Sequence, residues 1–350
     1  MPSRFQPRLV NGPFEDPGLF ISFPFERRAM LFDLGDLSRL PPRDRLKISH
    51  VFVTHTHMDH FIGFDQLLRS ILGRQKDLCL YGPAGFIANV EGKLAGYSWD
   101  LVDRFTSRLA LHLTEVHADR RWHRSYHCGD GFAASADPVA RPFDGRLYTE
   151  PGLQVEAAIL QHSSPCLGLA LSEGFHVNIL RTGLEKLGLS PGPWIARFKA
   201  ALYAQAHPQT EFTIEPGPTS AERTFEMGHL AQAIARITPG QKIAYVTDVG
   251  DTPATREAVV ALAHDADQLF IEAAFLDRER ERAAATHHLT ARQAGELAAL
   301  ARVHRFTLFH FSPRYEGREV ELAQEARQSF LVTKARTDAE QEARAVEYRT

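Results

Sequence analysis

Only three cysteines occur in 350 residues, and Cys79, Cys128 and Cys166 lie far apart. An odd, scattered set cannot close into a disulfide framework and points to a reducing compartment, so the expected location is the cytoplasm. Long apolar runs are missing as well. No stretch approaches the roughly 20 apolar residues that a membrane-spanning helix needs, and Met1 to Val10 has no apolar core of signal-peptide length. No membrane partner is expected. Charge of one sign is not in excess either: 40 basic and 43 acidic residues give a formal net charge of −3. That removes any global attraction to nucleic acid, although a local basic patch would still serve phosphates. Internal repeats and low-complexity tracts are absent. What remains is a globular chain, 44% hydrophobic, able to bury a substantial core as one large or two modest domains. The Pro/Gly/Ala-rich pieces near 129–146 and 208–219 read as surface excursions.

Histidine is what the chain has in quantity. Three of its 17 histidines crowd into Thr54-His55-Thr56-His57-Met58-Asp59-His60, directly after the apolar run Val51-Phe52-Val53. Residues leaving a strand in extended form alternate faces, so His55 and His57 point the same way and can share one ion. Once the chain turns toward helix, Asp59 and His60 are carried to the other side, where they can serve a second ion. Imidazole with carboxylate suits zinc, with manganese or iron as alternatives at higher coordination number. A closed structural site would draw on cysteine, and none is near. A lone loop histidine is usually a surface residue, whereas four ligand-type side chains at H-x-H-x-D-H spacing make a metal site. His117, His123, His127 and Cys128, by contrast, read as surface residues, because ligand spacing alone is a weak motif.

Short apolar runs alternate with helical patterns, and ligand-type residues recur where the runs stop. Val155 to Leu160 ends at Gln161-His162, Ile243 to Thr247 at Asp248, Leu269 to Ile271 at Glu272, and Phe306 to Phe309 at His310. Strand ends of an α/β sheet are where ligand sites collect, so these groups are expected to converge with His55 to His60. Thr252-Pro253 marks a helix start, and Thr290-Ala291-Arg292-Gln293 is a capping box that places His288 just before a helix. Phe61 to Leu72 is expected to continue as helix from the first motif. Leu19 to Phe23 and Ala29 to Phe32 read as a hairpin entering Asp33-Leu34-Gly35, where Asp33 is either a support for a metal ligand or a turn carboxylate.

Together these motifs resemble the metallo-β-lactamase superfamily and, more narrowly, the ribonuclease Z family of endonucleases that remove 3′ trailers from precursor tRNA. Tyr81-Gly82-Pro83-Ala84-Gly85, Ile271-Glu272-Ala273-Ala274-Phe275, His288-Leu289-Thr290 and Leu308-Phe309-His310-Phe311-Ser312-Pro313-Arg314-Tyr315 resemble further motifs of that family, spanning about Leu31 to Tyr315. The resemblance implies an α/β fold of αββα sandwich type, with two sheets and helices outside. It implies two zinc ions, the first on His55, His57 and His162, the second on Asp59, His60 and His310, with Asp248 bridging. The expected organisation is a catalytic domain over 1–317, carrying an inserted arm at about 173–213, and a helical extension over 318–350. Leu184 to Trp194, with its Gly-Pro pair, resembles the arm that grips tRNA. Arg181, Lys186, Arg197 and Lys199 there, with Ser312 and Arg314, are the implied substrate contacts, and a homodimer is implied as well. Departures from the pattern are Met58 and His287 in place of glycine, Ile271 in place of histidine, and a long stretch between Phe86 and His162.

Two metal ions would acidify a water and neutralise a phosphodiester. Asp59 is placed to orient the nucleophile or take its proton, and His288, held by Glu272, is the expected general acid. The expected function is endonucleolytic removal of precursor-tRNA trailers. The alternative is hydrolysis of a small ester on the same site: a cyclic nucleotide, an aryl phosphodiester or sulfate, or a lactone. A metal-bound scaffold without turnover is disfavoured, since it has no chemical need for a proton donor.

Overall fold

The computed structural model describes residues 4–102, 108–134, 136–216 and 222–347. Part of the 208–219 stretch therefore lies outside the described residues. Two compact units are present, and the larger comprises Phe5–Leu147, Val155–Ala170 and Lys242–Thr350. It is built on an eight-stranded sheet in sequence order: Gln6–Leu9, Leu19–Phe23, Arg28–Phe32, Ile48–Phe52, Lys76–Pro83, Leu109–Val116, Arg120–His127 and Val139–Pro142. A six-stranded sheet runs in the spatial order Phe306–Phe309, Gln268–Glu272, Lys242–Val246, Pro165–Glu173, Leu153–Gln161 and Arg146–Glu150. The expected hairpin is formed by Leu19–Phe23 and Arg28–Phe32, and Gln6–Leu9 adds a strand to its edge. The long stretch after Phe86 turns out to be largely β-structure.

Alternation along the strands builds the layers. On one face of the first sheet, Leu31, Val51, Val53 and Leu80 pack with Phe64, Leu67, Ile71 and Val90, which come from the helices Gly63–Ile71 and Phe86–Ala95. On the other face, register places Phe32, Phe52 and Tyr81 side by side. Their rings lie 5.4 and 4.6 Å apart, and Phe32 also meets Tyr245 of the second sheet at 6.0 Å. An aromatic row thus joins the sheets, since big planar side chains fill an inter-sheet gap of about 10 Å. Outside the second sheet, Val259, Leu297, Ala298, Leu322 and Ala326 bury the helices Pro253–Ala263, Ala291–Leu300 and Glu319–Glu347. Both expected helix starts form: Thr252 caps through Thr255, and the Thr290–Gln293 capping box is reciprocal. The C-terminal helix lies against Gly295, where an added Cβ would come 2.1 Å from the Ala326 carbonyl oxygen.

The smaller unit comprises Met1–Arg4, Tyr148–Gln154 and Leu171–Gln241. Helices Arg181–Lys186, Trp194–Tyr203 and Met227–Ile234 enclose Leu184, Trp194, Phe198, Leu230 and Ile234. Two antiparallel pairs complete it, Phe175–Ile179 with Ala235–Pro239 and Glu211–Ile214 with Arg223–Glu226.

One expected helix differs. The segment 61–72 is divided into Met58–Phe61 and Gly63–Ile71. The reason is the turn after Phe32: Leu34 N donates to the His60 carbonyl, and Gly63 N leaves the helical ladder to donate to the Leu34 carbonyl, both at 2.8 Å. A Cβ on Gly63 would lie 2.1 Å from the Gly35 carbonyl oxygen, so only glycine permits the approach. Gly63→Ala is expected to destabilise the protein by about 1–3 kcal/mol, measured as a lower denaturation midpoint.

Candidate metal centre

Register brings the site together. Val246, Ile271 and Leu308 lie abreast in neighbouring parallel strands, so Asp248, Glu272 and His310 all emerge at one sheet edge. The first sheet delivers its own motif by the same means: Phe32 pairs with Phe52, and Asp33 and Thr54 follow. Asp33 sits in the left-handed region at φ 60° and is wholly buried. It accepts hydrogen bonds from Thr54 N at 2.7 Å, Thr54 Oγ1 at 3.0 Å and Tyr245 Oη at 3.0 Å, and it faces His60 Nδ1 at 2.9 Å. That contact leaves His60 Nε2 pointing into the site.

Around this edge, His55, His57, His162 and Asp248 form one group whose donor atoms lie within 4.8 Å of each other, and Asp59, His60 and His310 form a second. Asp248 addresses both. Its Oδ2 lies 3.7 Å from His55 Nε2 and 3.9 Å from His162 Nε2, while its Oδ1 lies 3.3 Å from His60 Nε2 and 3.5 Å from His310 Nε2. His310 Nε2 also meets Asp59 Oδ2 at 3.2 Å. The backbone is left-handed at Asp248 (φ 38°) and His310 (φ 58°), conformations that non-glycine residues adopt rarely and that gather at functional sites. His117, His123, His127 and Cys128 join no metal-holding group among the described residues. His117 bonds Glu115, His123 bonds Thr114, and all three cysteines are free.

The donor set fits metal ions. His55 Nε2 and His60 Nε2 are buried without a hydrogen-bond partner, which is costly unless something else binds them. Burial holds the imidazoles of His55 and His162 below the usual range, in the neutral form a metal requires. Burial by itself would raise Asp248 and Asp59, yet the surrounding histidines outweigh it and keep both as carboxylates. Burial would lower His60 and His310, but nearby carboxylates outweigh it and move both upward, Asp248 with Asp33 at His60 and Asp248 with Asp59 and Glu272 at His310, so the pocket attracts positive charge. A mixed His/Asp set with no cysteine suits zinc, manganese or iron.

His288 and Glu272 stand beside these residues, and His288 also groups with Asp248 and His310 as a set that could hold an ion. His288 Nδ1 lies 3.0 Å from Glu272 Oε2, and Glu272 Oε1 accepts from Val249 N at 2.7 Å. Burial would lower His288, but Glu272 overrides it and the imidazole is pushed up to about 9. Its ring stacks on His310 at 5.5 Å. The cap of the helix Arg280–Ala285 fixes its place: His287 N donates to the Ala284 carbonyl and His288 N to the Ala283 carbonyl, a Schellman pattern with His287 left-handed at φ 57°.

The other candidates join no metal-holding group among the described residues. Arg181, Lys186, Arg197 and Lys199 belong to the smaller unit, where Arg181 pairs with Glu185, Arg197 with Glu215, and burial lowers Lys199. Ser312 N donates to the Ala274 carbonyl, and Arg314 bonds Glu279 and covers the Phe275 ring. Sequence reasoning missed Tyr245 and Thr54 as partners of Asp33, and the His287 carbonyl, which receives His162 Nδ1 at 3.1 Å. A tyrosine inside an apolar strand carries no sequence signal of a polar task.

Comparison with known proteins follows the same lines. A family described as Beta-lactamase superfamily domain matches residues 189–311. The chain is 32% identical to ribonuclease Z of Deinococcus radiodurans, over 82% of this chain and 83% of the relative. The metallo-beta-lactamase fold protein YhfI of Bacillus subtilis superposes with a TM-score of 0.53 at 13% identity, covering 93% of each chain. The short form of human tRNase Z gives a TM-score of 0.51 at 18% identity, covering 89% of this chain and 93% of that one. Fold and relatives agree: the chain belongs to the ribonuclease Z family of the metallo-β-lactamase superfamily and is a metal-dependent hydrolase.

Proposed function

We propose that this protein is a dinuclear-zinc endonuclease that removes 3′ trailers from precursor tRNA. The observation that carries the reading is Asp248, whose two carboxylate oxygens address two separate histidine sets. In this reading His55, His57 and His162 would hold one ion and Asp59, His60 and His310 the other, with Asp248 able to serve both and manganese or iron as alternatives to zinc. Two ions so held would acidify a water and offset charge on the phosphoryl oxygens.

The chain's own groups do the rest. The Asp59 side chain stays partly accessible, at 43%, and would orient the attacking water or take its proton. His288, kept protonated by Glu272, gives its Nε2 proton to the leaving alkoxide, and Glu272 fixes the ring through Nδ1. Arg181, Lys186, Arg197 and Lys199 are the proposed contacts to RNA phosphate in the smaller unit, joined by Ser312 and Arg314. The pairs Arg181–Glu185 and Arg197–Glu215 are exposed and worth little, so a phosphate can replace either carboxylate. A homodimer acting in the cytoplasm belongs to the same proposal. The free thiols suit a reducing compartment, and no helix among the described residues is long and apolar enough to cross a membrane.

The test is cleavage of a precursor tRNA bearing a 3′ trailer by the zinc-loaded protein, run beside an activated aryl phosphodiester. Cutting at the trailer junction supports the proposal, whereas aryl ester turnover with intact RNA assigns the site to small esters. Asp248→Ala and His57→Ala are expected to lose both bound metal and activity, measured by elemental analysis and by the same assay. His288→Ala is expected to keep its metal and lose roughly 10²–10⁴-fold in turnover on RNA, the usual contribution of a general acid. Full rate from that variant on an unactivated RNA would show the acid to be another group.

A further inference from the structure

His287 occupies a position that glycine fills by default. The left-handed backbone of the Schellman cap is needed there, both to set His288 beside Glu272 and to aim the His287 carbonyl at His162 Nδ1. Neither task uses the imidazole. The side chain is exposed, its ring is centred 6.2 Å from that of His162, and among the described residues neither ring nitrogen has a hydrogen-bond partner. It stands over bare backbone: a Cβ on Gly250 would lie 3.7 Å from His287 Nδ1, and Gly250 N is itself tied to the Gln161 carbonyl at 2.9 Å. A strained, non-glycine residue therefore presents an unengaged N–H donor at the rim of the metal centre, on the side of His162 and His288.

We propose that the His287 imidazole is a substrate-binding group that donates a hydrogen bond to a phosphate oxygen of the RNA next to the scissile bond. The contact rests on the endonuclease reading above. An imidazole carries at least one N–H in every protonation state it adopts in a protein. Phosphate and sugar oxygens receive half or more of the hydrogen bonds that proteins make to DNA, and His287 lies next to His162 of the candidate metal centre, where a neighbouring phosphate of a bound strand comes within its reach.

Two variants test it, each assayed for precursor-tRNA cleavage, metal content and thermal midpoint. His287→Gly relieves the left-handed strain and removes the donor. Its midpoint and bound metal are expected to be no lower than those of the unaltered protein, while kcat/KM on RNA falls roughly tenfold, mainly through KM. His287→Asn tolerates the same backbone and keeps an N–H donor, so it is expected to recover most of the loss. An RNA kcat/KM within twofold of normal in His287→Gly overturns the contact, as does a loss that tracks bound metal. Failure of the unaltered protein to cut RNA is a separate outcome, and it overturns the endonuclease reading together with the contact.

Discussion

The buried carboxylate of Asp33 is the interaction on which the site depends. Taking an unpaired carboxylate out of water is strongly unfavourable, so it must be surrounded by donors, and four converge on it: Thr54 N, Thr54 Oγ1, Tyr245 Oη and His60 Nδ1. Each comes from a part that must be in register for the site to exist. Thr54 opens the histidine motif, Tyr245 belongs to the strand that ends at Asp248, and His60 is one of the candidate ligands. One buried side chain thus ties both sheets and the motif to a common position.

That tie explains the strained backbone nearby. Asp33, Asp248, His287 and His310 all adopt positive φ, at 60°, 38°, 57° and 58°. Each lies where a strand or helix has just ended and a side chain or carbonyl must turn into the site. Such conformations survive only when their surroundings over-determine them, and the hydrogen bonds around Asp33 and the Schellman cap at His287 supply that constraint. Rigidity of this kind suits a metal centre, because ligand positions fixed in advance leave little reorganisation when an ion binds.

Much of this was legible in the sequence. The H-x-H-x-D-H run, the polar residues stationed after apolar runs and the capping box at Thr290 mark groups that the structure brings to one edge, and period-2 and 3.6 patterns are strong local signals. Other features were not legible because their causes are non-local. The break at Gly63 arises from a turn near Leu34, and the partnership of Tyr245 with Asp33 spans 212 residues. An arm was expected at about 173–213, but not that the smaller unit runs over Leu171–Gln241 and also takes in Tyr148–Gln154, a return that no local pattern marks. The basic residues of the expected arm were visible as a list, but not that two of them already face carboxylates.

The two carboxylate oxygens of Asp248 face two different sets of histidines, and the proposed function needs an ion at each. Anomalous X-ray diffraction at the zinc edge from crystals of the zinc-loaded protein measures this directly. The account predicts two peaks flanking Asp248, one against His55, His57 and His162 and the other against Asp59, His60 and His310. A single peak, or two that leave Asp248 uncoordinated, would contradict it.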